Sequence, residues 1–295
     1  MRKYIRIAGI LAVALVATAG GTVLAGLQLA EARMHRTIDV AVQAVVLPDD
    51  ERALERGRYL YRSRGCIDCH GADGTGRTFV DDGNGLRIHG ANLTTGPGSA
   101  VTRYRTEDWV RSIRHGIAPS GRPLLVMPSE DYNRFTDADL GALIAYVRGL
   151  RPAPGEPAEV KLPLAARVLY GFGAIPEAAM KIDHARAPEQ AVAEGVTPAH
   201  GAYVVNMCFG CHGQQLLGGR IPGGPPDWPP APRLAPGEGS VMANYPDAES
   251  LIRLFRTGKR ADGSAVRVMP FESLRETSET DLRALHLYLS GRQGS

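Results

Sequence analysis

Two short stretches carry chemistry in their residue types and spacing: Cys66-Ile67-Asp68-Cys69-His70 and, 142 positions later, Cys208-Phe209-Gly210-Cys211-His212. Cysteines three apart lie on neighbouring turns of a helical segment and face one side. Two thiols can then reach the edge of one flat macrocycle while the next residue's imidazole approaches its centre. Cys-x-x-Cys-His is the attachment pattern of haem c, with two thioethers to the vinyl groups and a proximal histidine on iron. A structural zinc site or a redox dithiol would use the cysteine pairs and leave the histidine after each without a reason. The chain has four cysteines, and the two motifs use all of them.

A methionine follows each motif at one distance. Val126-Met127-Pro128 lies 57 residues beyond His70, and Val268-Met269-Pro270 lies 57 residues beyond His212. A thioether is a soft, neutral ligand, and histidine with methionine is the axial pair that raises the potential of a haem iron. The matched spacing assigns His70 with Met127 to one iron and His212 with Met269 to another. Cys66 and Cys69 hold the first macrocycle, Cys208 and Cys211 the second. Met34, Met180, Met207 and Met242 have no counterpart at the repeat distance and read as packing residues.

The elements that must position these residues repeat with them. Residue n laid on n + 142 pairs Arg111 with Arg253, Gly116 with Gly258, Asp139-Leu140 with Asp281-Leu282, and Tyr146 with Tyr288. A period of this length means duplicated domains rather than a solenoid. In the first copy a helix opens at Asp49 and Asp50 and runs to about Ser63, with Gly57 as a point of close helix approach. The glycine-rich stretch 71–98 reads as a loop wrapping the haem edge. Thr106 to His115 reads as a helix with Trp109, Val110 and Ile113 inward. Thr136 with Asp139 resembles a capping box before Leu140, Leu143, Ile144, Val147 and Leu150 at helical spacing, and Ser278 with Asp281 repeats it. His115, His184, His200 and His286 read as ordinary polar residues.

The expected organisation is mostly α: a membrane anchor or signal segment at 1–30, a tether at 31–48, a first cytochrome c domain at 49–151, a connector at 152–198 and a second cytochrome c domain at 199–295. Residues 7–30 contain no charge, and 24 helical residues span about 36 Å, enough for a hydrocarbon core of about 30 Å. Arg2, Lys3 and Arg6 in front place the start of the chain in the cytoplasm and the rest outside. Ala17-Thr18-Ala19 offers a signal-peptidase site as the alternative, but cleavage there would leave Val23, Leu24, Leu27 and Leu29 on a secreted product. The connector is rich in proline; its apolar part, 162–175, is too short to cross a membrane and is expected to pack between the two haem domains, with a surface lying on the membrane as the alternative. Those three leading cations account for the whole excess of 34 basic over 31 acidic residues, so a nucleic-acid role has no electrostatic support.

The pattern resembles the class I cytochrome c fold and, more narrowly, the membrane-bound cytochrome c subunits of bacterial alcohol and gluconate dehydrogenases. The resemblance rests on Gly90-Ala91-Asn92-Leu93-Thr94, on Met127-Pro128 followed by Tyr132, on Leu169-Tyr170-Gly171-Phe172-Gly173-Ala174 with Ile182-Asp183-His184-Ala185-Arg186, and on Leu217-Gly218-Gly219 with Ile221-Pro222-Gly223. It implies a closing helix that crosses the first. It also implies a Pro-x-Leu segment whose carbonyl accepts the proximal histidine's ring proton. Pro232-Arg233-Leu234 fits that segment, while Ala91-Asn92-Leu93 keeps the leucine without the proline.

The expectation is a single-pass protein of the bacterial inner membrane with two covalently bound haem c groups in the periplasm. It would move single electrons from a dehydrogenase to another cytochrome or an oxidase. Filled axial positions leave no room for a substrate at iron, so no catalytic residue is expected. The alternatives are a haem enzyme, such as a di-haem peroxidase or sulfur-compound dehydrogenase, and the di-haem subunit of a haem-copper oxidase. The tryptophan-rich segment of the last is absent, since the chain's tryptophans are Trp109 and Trp228.

Overall fold

The computed structural model describes residues 2–225 and 227–291, so Met1 of the anchor segment and 292–295 of the second expected domain lie outside the described residues. The first element is a single helix, α1 (Arg2–His35). It runs five residues past the expected boundary because nothing in Glu31-Ala32-Arg33-Met34-His35 breaks a helix. Residues 2–22 of α1 are exposed, whereas Val23, Gly26, Leu27, Ala30 and Arg33 form a half-buried to buried face at spacings of three and four.

The first half is built from α2 (Glu51–Ser63), α3 (Cys66–His70), β1 (Thr78–Asp81), β2 (Arg87–His89), α4 (Thr106–His115) and α5 (Asp137–Arg148). Asp50 caps α2 by accepting the Ala53 N–H at 3.0 Å, and Thr136 caps α5 by accepting the Asp139 N–H at 3.0 Å. The expected faces are buried: Leu60, Tyr61, Trp109, Val110, Leu140 and Ile144 meet in one apolar cluster. The stretch read as a plain loop, 71–98, contains β1 and β2. They form an antiparallel sheet completed by β3 (Glu159–Lys161), which comes from the connector.

Beyond β3 the connector forms α6 (Leu164–Gly171) and α7 (Ala178–Lys181). It does not pack between the halves as expected. Instead α6 lies on the end of α1, and the two halves touch each other directly. The cause is small residues on both helices: a Cβ on Gly171 would come within 2.0 Å of the Gly26 carbonyl oxygen.

The second half contains α8 (Pro198–Val204), α9 (Phe209–His212), α10 (Ala248–Thr257), α11 (Phe271–Leu274) and α12 (Glu279–Gly291). Its own apolar cluster holds Val204, Phe209, Leu251, Phe255, Leu282 and Leu285. In each half the opening helix crosses the closing helix at a glycine. A Cβ on Gly57 would come within 2.1 Å of the Ala142 oxygen, and one on Gly201 within 2.1 Å of the Ala284 oxygen. Backbones can approach this closely only without a side chain at the crossing.

Between the halves Asp281, fully buried, receives Arg64 from the first half and His200 Nε2 at 2.7 Å from its own. Burial alone would push this carboxyl up, but Arg64, Tyr59 and His200 outweigh it and hold Asp281 well below the usual carboxylate range. Arg62 to Glu276 at 2.9 Å and Arg77 to Glu272 at 2.7 Å lie on the more exposed rim, where ion pairs contribute little.

Candidate haem-attachment sites

The Cys66 motif sits on α3, and both ends of that helix are pinned by tyrosines. Tyr132 donates its hydroxyl to the Arg64 carbonyl at 2.9 Å, just before α3, and Tyr61 donates to the Gly71 carbonyl at 2.7 Å, just after it. The Cys208 motif instead continues a tight turn, Val205–Cys208, into α9. All four thiols are free. Burial, then the neighbouring Cys69, pushes the Cys66 thiol up to about 12; burial, then Asp131 and Cys211, does the same for Cys208. Thiols held neutral in this way do not suit a reactive dithiol. Among the described residues no cluster of three or more His, Cys, Asp or Glu is arranged to hold a metal ion, so the two cysteine pairs do not pool into one site.

The two histidines have the same environment. His70 Nδ1 lies 2.8 Å from the Ala91 carbonyl, and His212 Nδ1 lies 2.8 Å from the Pro232 carbonyl. Each ring therefore donates through Nδ1, which leaves the Nε2 lone pair free to ligate. Burial, partly offset by that carbonyl, lowers both imidazoles below their ordinary value and keeps them neutral. The carbonyl bond expected at Pro232 thus also forms at Ala91, where the proline is missing.

Each methionine loop is closed by matched backbone bonds. Leu124 N–H donates to Gly116 at 2.7 Å and Ser129 N–H to Met127 at 2.9 Å; Val266 N–H donates to Gly258 and Phe271 N–H to Met269, both at 2.9 Å. Met127 packs half-buried against the first apolar cluster and Met269 against the second. Met242, read as packing, is buried in the second cluster, while Met180 is half exposed. The other histidines are held by protein: His286 Nε2 faces the Tyr245 carbonyl at 2.9 Å, and His115 Nδ1 meets His184 Nδ1 at 3.1 Å. Burial and His184 push His115 down to about 4.

Sequence reasoning missed the bonds that tie each motif to the other half. Ser273 Oγ donates to Asp68 Oδ2 at 2.6 Å, inside the first motif, and Gly210 N–H, inside the second, donates to Asp131 Oδ1 at 2.6 Å. Asp68 and Gly210 are 142 positions apart, as are Asp131 and Ser273. The same two positions meet twice, with the carboxylate on opposite sides. That complementary swap is visible in the aligned repeat, but only once the two positions are known to touch.

These features define a class, and comparison with known proteins agrees with it. Residues 52–147 match the family described as cytochrome c oxidase, cbb3-type, subunit III, and form a cytochrome c domain, a kind that binds haem c covalently. The chain is also homologous to cytochrome c subunits of dehydrogenases. It is 30% identical over 179 residues to the cytochrome c subunit of alcohol dehydrogenase (quinone) from Gluconacetobacter polyoxogenes, a match covering 56% of this chain and 37% of that protein. The corresponding subunit of Gluconobacter oxydans (strain 621H) is 27% identical over 273 residues, 81% of this chain and 55% of the relative. The fructose dehydrogenase cytochrome subunit of Gluconobacter japonicus is 30% identical over 129 residues, 41% and 26%. The chain thus spans between about a quarter and just over half of these relatives.

Proposed function

We propose that the chain is a di-haem c-type cytochrome, built of two tandem cytochrome c domains, that is held to the bacterial inner membrane by α1 and passes single electrons between periplasmic redox partners. One observation carries the reading: the histidine of each motif is oriented through Nδ1 by a carbonyl at 2.8 Å, and each is followed by a methionine loop closed by the same backbone bonds. Cys66 and Cys69 would fix the first haem with His70 and Met127 on its iron; Cys208, Cys211, His212 and Met269 would do so for the second. Haem iron with both axial positions filled exchanges one electron without binding substrate.

The residues of the chain supply the rest. Neutral, oriented imidazoles present Nε2, the apolar clusters keep water from the methionine side, and α1, long and apolar enough to cross a membrane, holds the domains near membrane-bound partners. The relatives named as dehydrogenase subunits support a dehydrogenase as electron donor, with another cytochrome or an oxidase as acceptor. The family match over 52–147 favours one second reading, a subunit of a haem-copper oxidase. Copurification with an oxidase core rather than a dehydrogenase would select it.

Oxidised and reduced absorption spectra of the exported chain, with haem quantified per chain, test the proposal. Two low-spin haems with a methionine-ligation band in the oxidised state are expected. One haem, or a high-spin component, overturns the assignment at one site and moves attention to catalysis there.

A further inference from the structure

The connector helix α6 has two faces, and only one is used inside the protein. Val168 and Gly171 press against Gly26 and Ala30 of α1, and Phe172 reaches Gly26 with its ring edge. Tyr170 lies under Arg33, whose guanidinium also reaches Glu177, a buried carboxylate shared with Arg36. This clasp fixes α6 at one height along α1, at residues 26–33. On its other side α6 exposes Leu164 and Leu169, which are 57% and 48% exposed, and Phe172, just after the helix, leaves about half of its surface out (51%) while one ring edge meets α1.

The height of the clasp identifies what covers that face. Residues 7–26 carry no charge and follow the cations Arg2, Lys3 and Arg6. Twenty helical residues span about 30 Å, the thickness of the hydrocarbon core. A bilayer whose inner boundary is set by those cations therefore has its outer boundary near Gly26, where α6 begins to pack. We infer that α6 lies in the outer interface of the bilayer, with Leu164, Leu169 and Phe172 against the upper acyl chains, so that the protein meets the membrane through a helix pair and not through α1 alone. Arg167, 4.0 Å from Glu31 at the same level, can reach the headgroups along its apolar stem. The docking rests on the reading of α1 as a membrane anchor. It fixes the tilt of the first half, because β3, directly before α6, is hydrogen-bonded into that half's sheet.

The test uses the full chain in phospholipid nanodiscs containing a phospholipid with a photoactivatable group high on one acyl chain, followed by mass-spectrometric mapping of lipid adducts. Adducts on residues 164–172 as well as on 7–26 are expected. In the double variant Leu164→Glu/Leu169→Glu, which changes exposed side chains outside the packing on α1, the α6 adducts are lost and those on 7–26 remain. Adducts confined to α1, or α6 adducts that survive the double variant, overturn the docking and leave the anchor standing. Adducts on neither helix overturn the anchor and the docking with it.

Discussion

Tyr203, on the helix that opens the second half, donates its hydroxyl to Asp139 Oδ2 at 2.7 Å, on the helix that closes the first. Its counterpart Tyr59 makes the reciprocal bond, donating to Asp281 Oδ2 at 2.7 Å on the last helix. Each hydroxyl also accepts a backbone N–H from the start of the helix it meets, Tyr203 from Thr136 at 3.3 Å and Tyr59 from Ser278 at 3.0 Å. Each aspartate takes a second partner from its own half: Arg56 for Asp139, at 2.8 and 2.9 Å, and His200 for Asp281. The two halves are joined by an exchange with near two-fold character, in which one half supplies the cap and the other the hydroxyl that satisfies it.

Removing one hydroxyl leaves each aspartate its cation, so Tyr203→Phe and Tyr59→Phe are each expected to cost about 1 kcal/mol. Arg56 stacks over the Tyr59 ring and pairs with Asp139, so the two sites share a partner and the double variant is expected to depart from the sum of the singles. Chemical denaturation of the single and double variants checks this; a double variant no less stable than the parent would mean that the halves are held elsewhere.

Asp281→Asn is a harsher change, because it leaves the buried Arg64 guanidinium without its counter-charge. The expected cost is about 3 to 5 kcal/mol. The pH dependence has a definite sign. Asp281 is held below its ordinary value of 3.8, so the stability its charge contributes is complete above the ordinary carboxylate range. It is lost as pH falls below about 4 toward the lower native value. The Asn variant should show a shallower loss of stability on acidification, measured by denaturation midpoints at successive pH values.

What the residues announced and what they hid differ in kind. The caps at Asp50 and Thr136 and the inward face of α4 depend on local spacing, and local spacing is enough to place them; the proposed attachment motifs and methionine loops are read from local spacing too. The contacts of Ser273 with Asp68 and of Tyr203 with Asp139 join residues 205 and 64 positions apart, where no periodicity applies. The sheet was hidden for the same reason: β2 pairs with β3 across 72 positions, and β1 and β2 are only four and three residues long in a glycine-rich stretch. The apolar part of the connector is expected between the two haem domains but packs on α1, which lies outside both repeats.

Gly57→Ala and Gly201→Ala test the repeated helix crossing. Alanine is the better helix former by about 1 kcal/mol, so on propensity alone both variants would gain stability. The added carbon would instead meet a backbone oxygen at 2.1 Å in either half, which cannot move aside as a side chain could. Overpacking of this kind costs about 1 to 3 kcal/mol, and both variants are expected to melt lower than the parent. A rise in melting temperature in either would show that the crossing there is wider.

Methionine ligation can be separated from methionine packing by three substitutions. Met242 is buried in the second apolar cluster, so Met242→Ala is expected to cost about 2 to 5 kcal/mol of stability while leaving both redox potentials in place. Met127 and Met269 are only half-buried, so their loss as packing groups costs less, but the proposed ligation gives them a different signature. Met127→Ala should lower the potential of one site and remove part of the methionine band, Met269→Ala should do so for the other, and the double variant should lose the band altogether. Redox titration with absorption spectroscopy reads all three. If Met127→Ala left potential and spectrum unchanged, another side chain would be the ligand, and the 57-residue spacing would lose its meaning in that half.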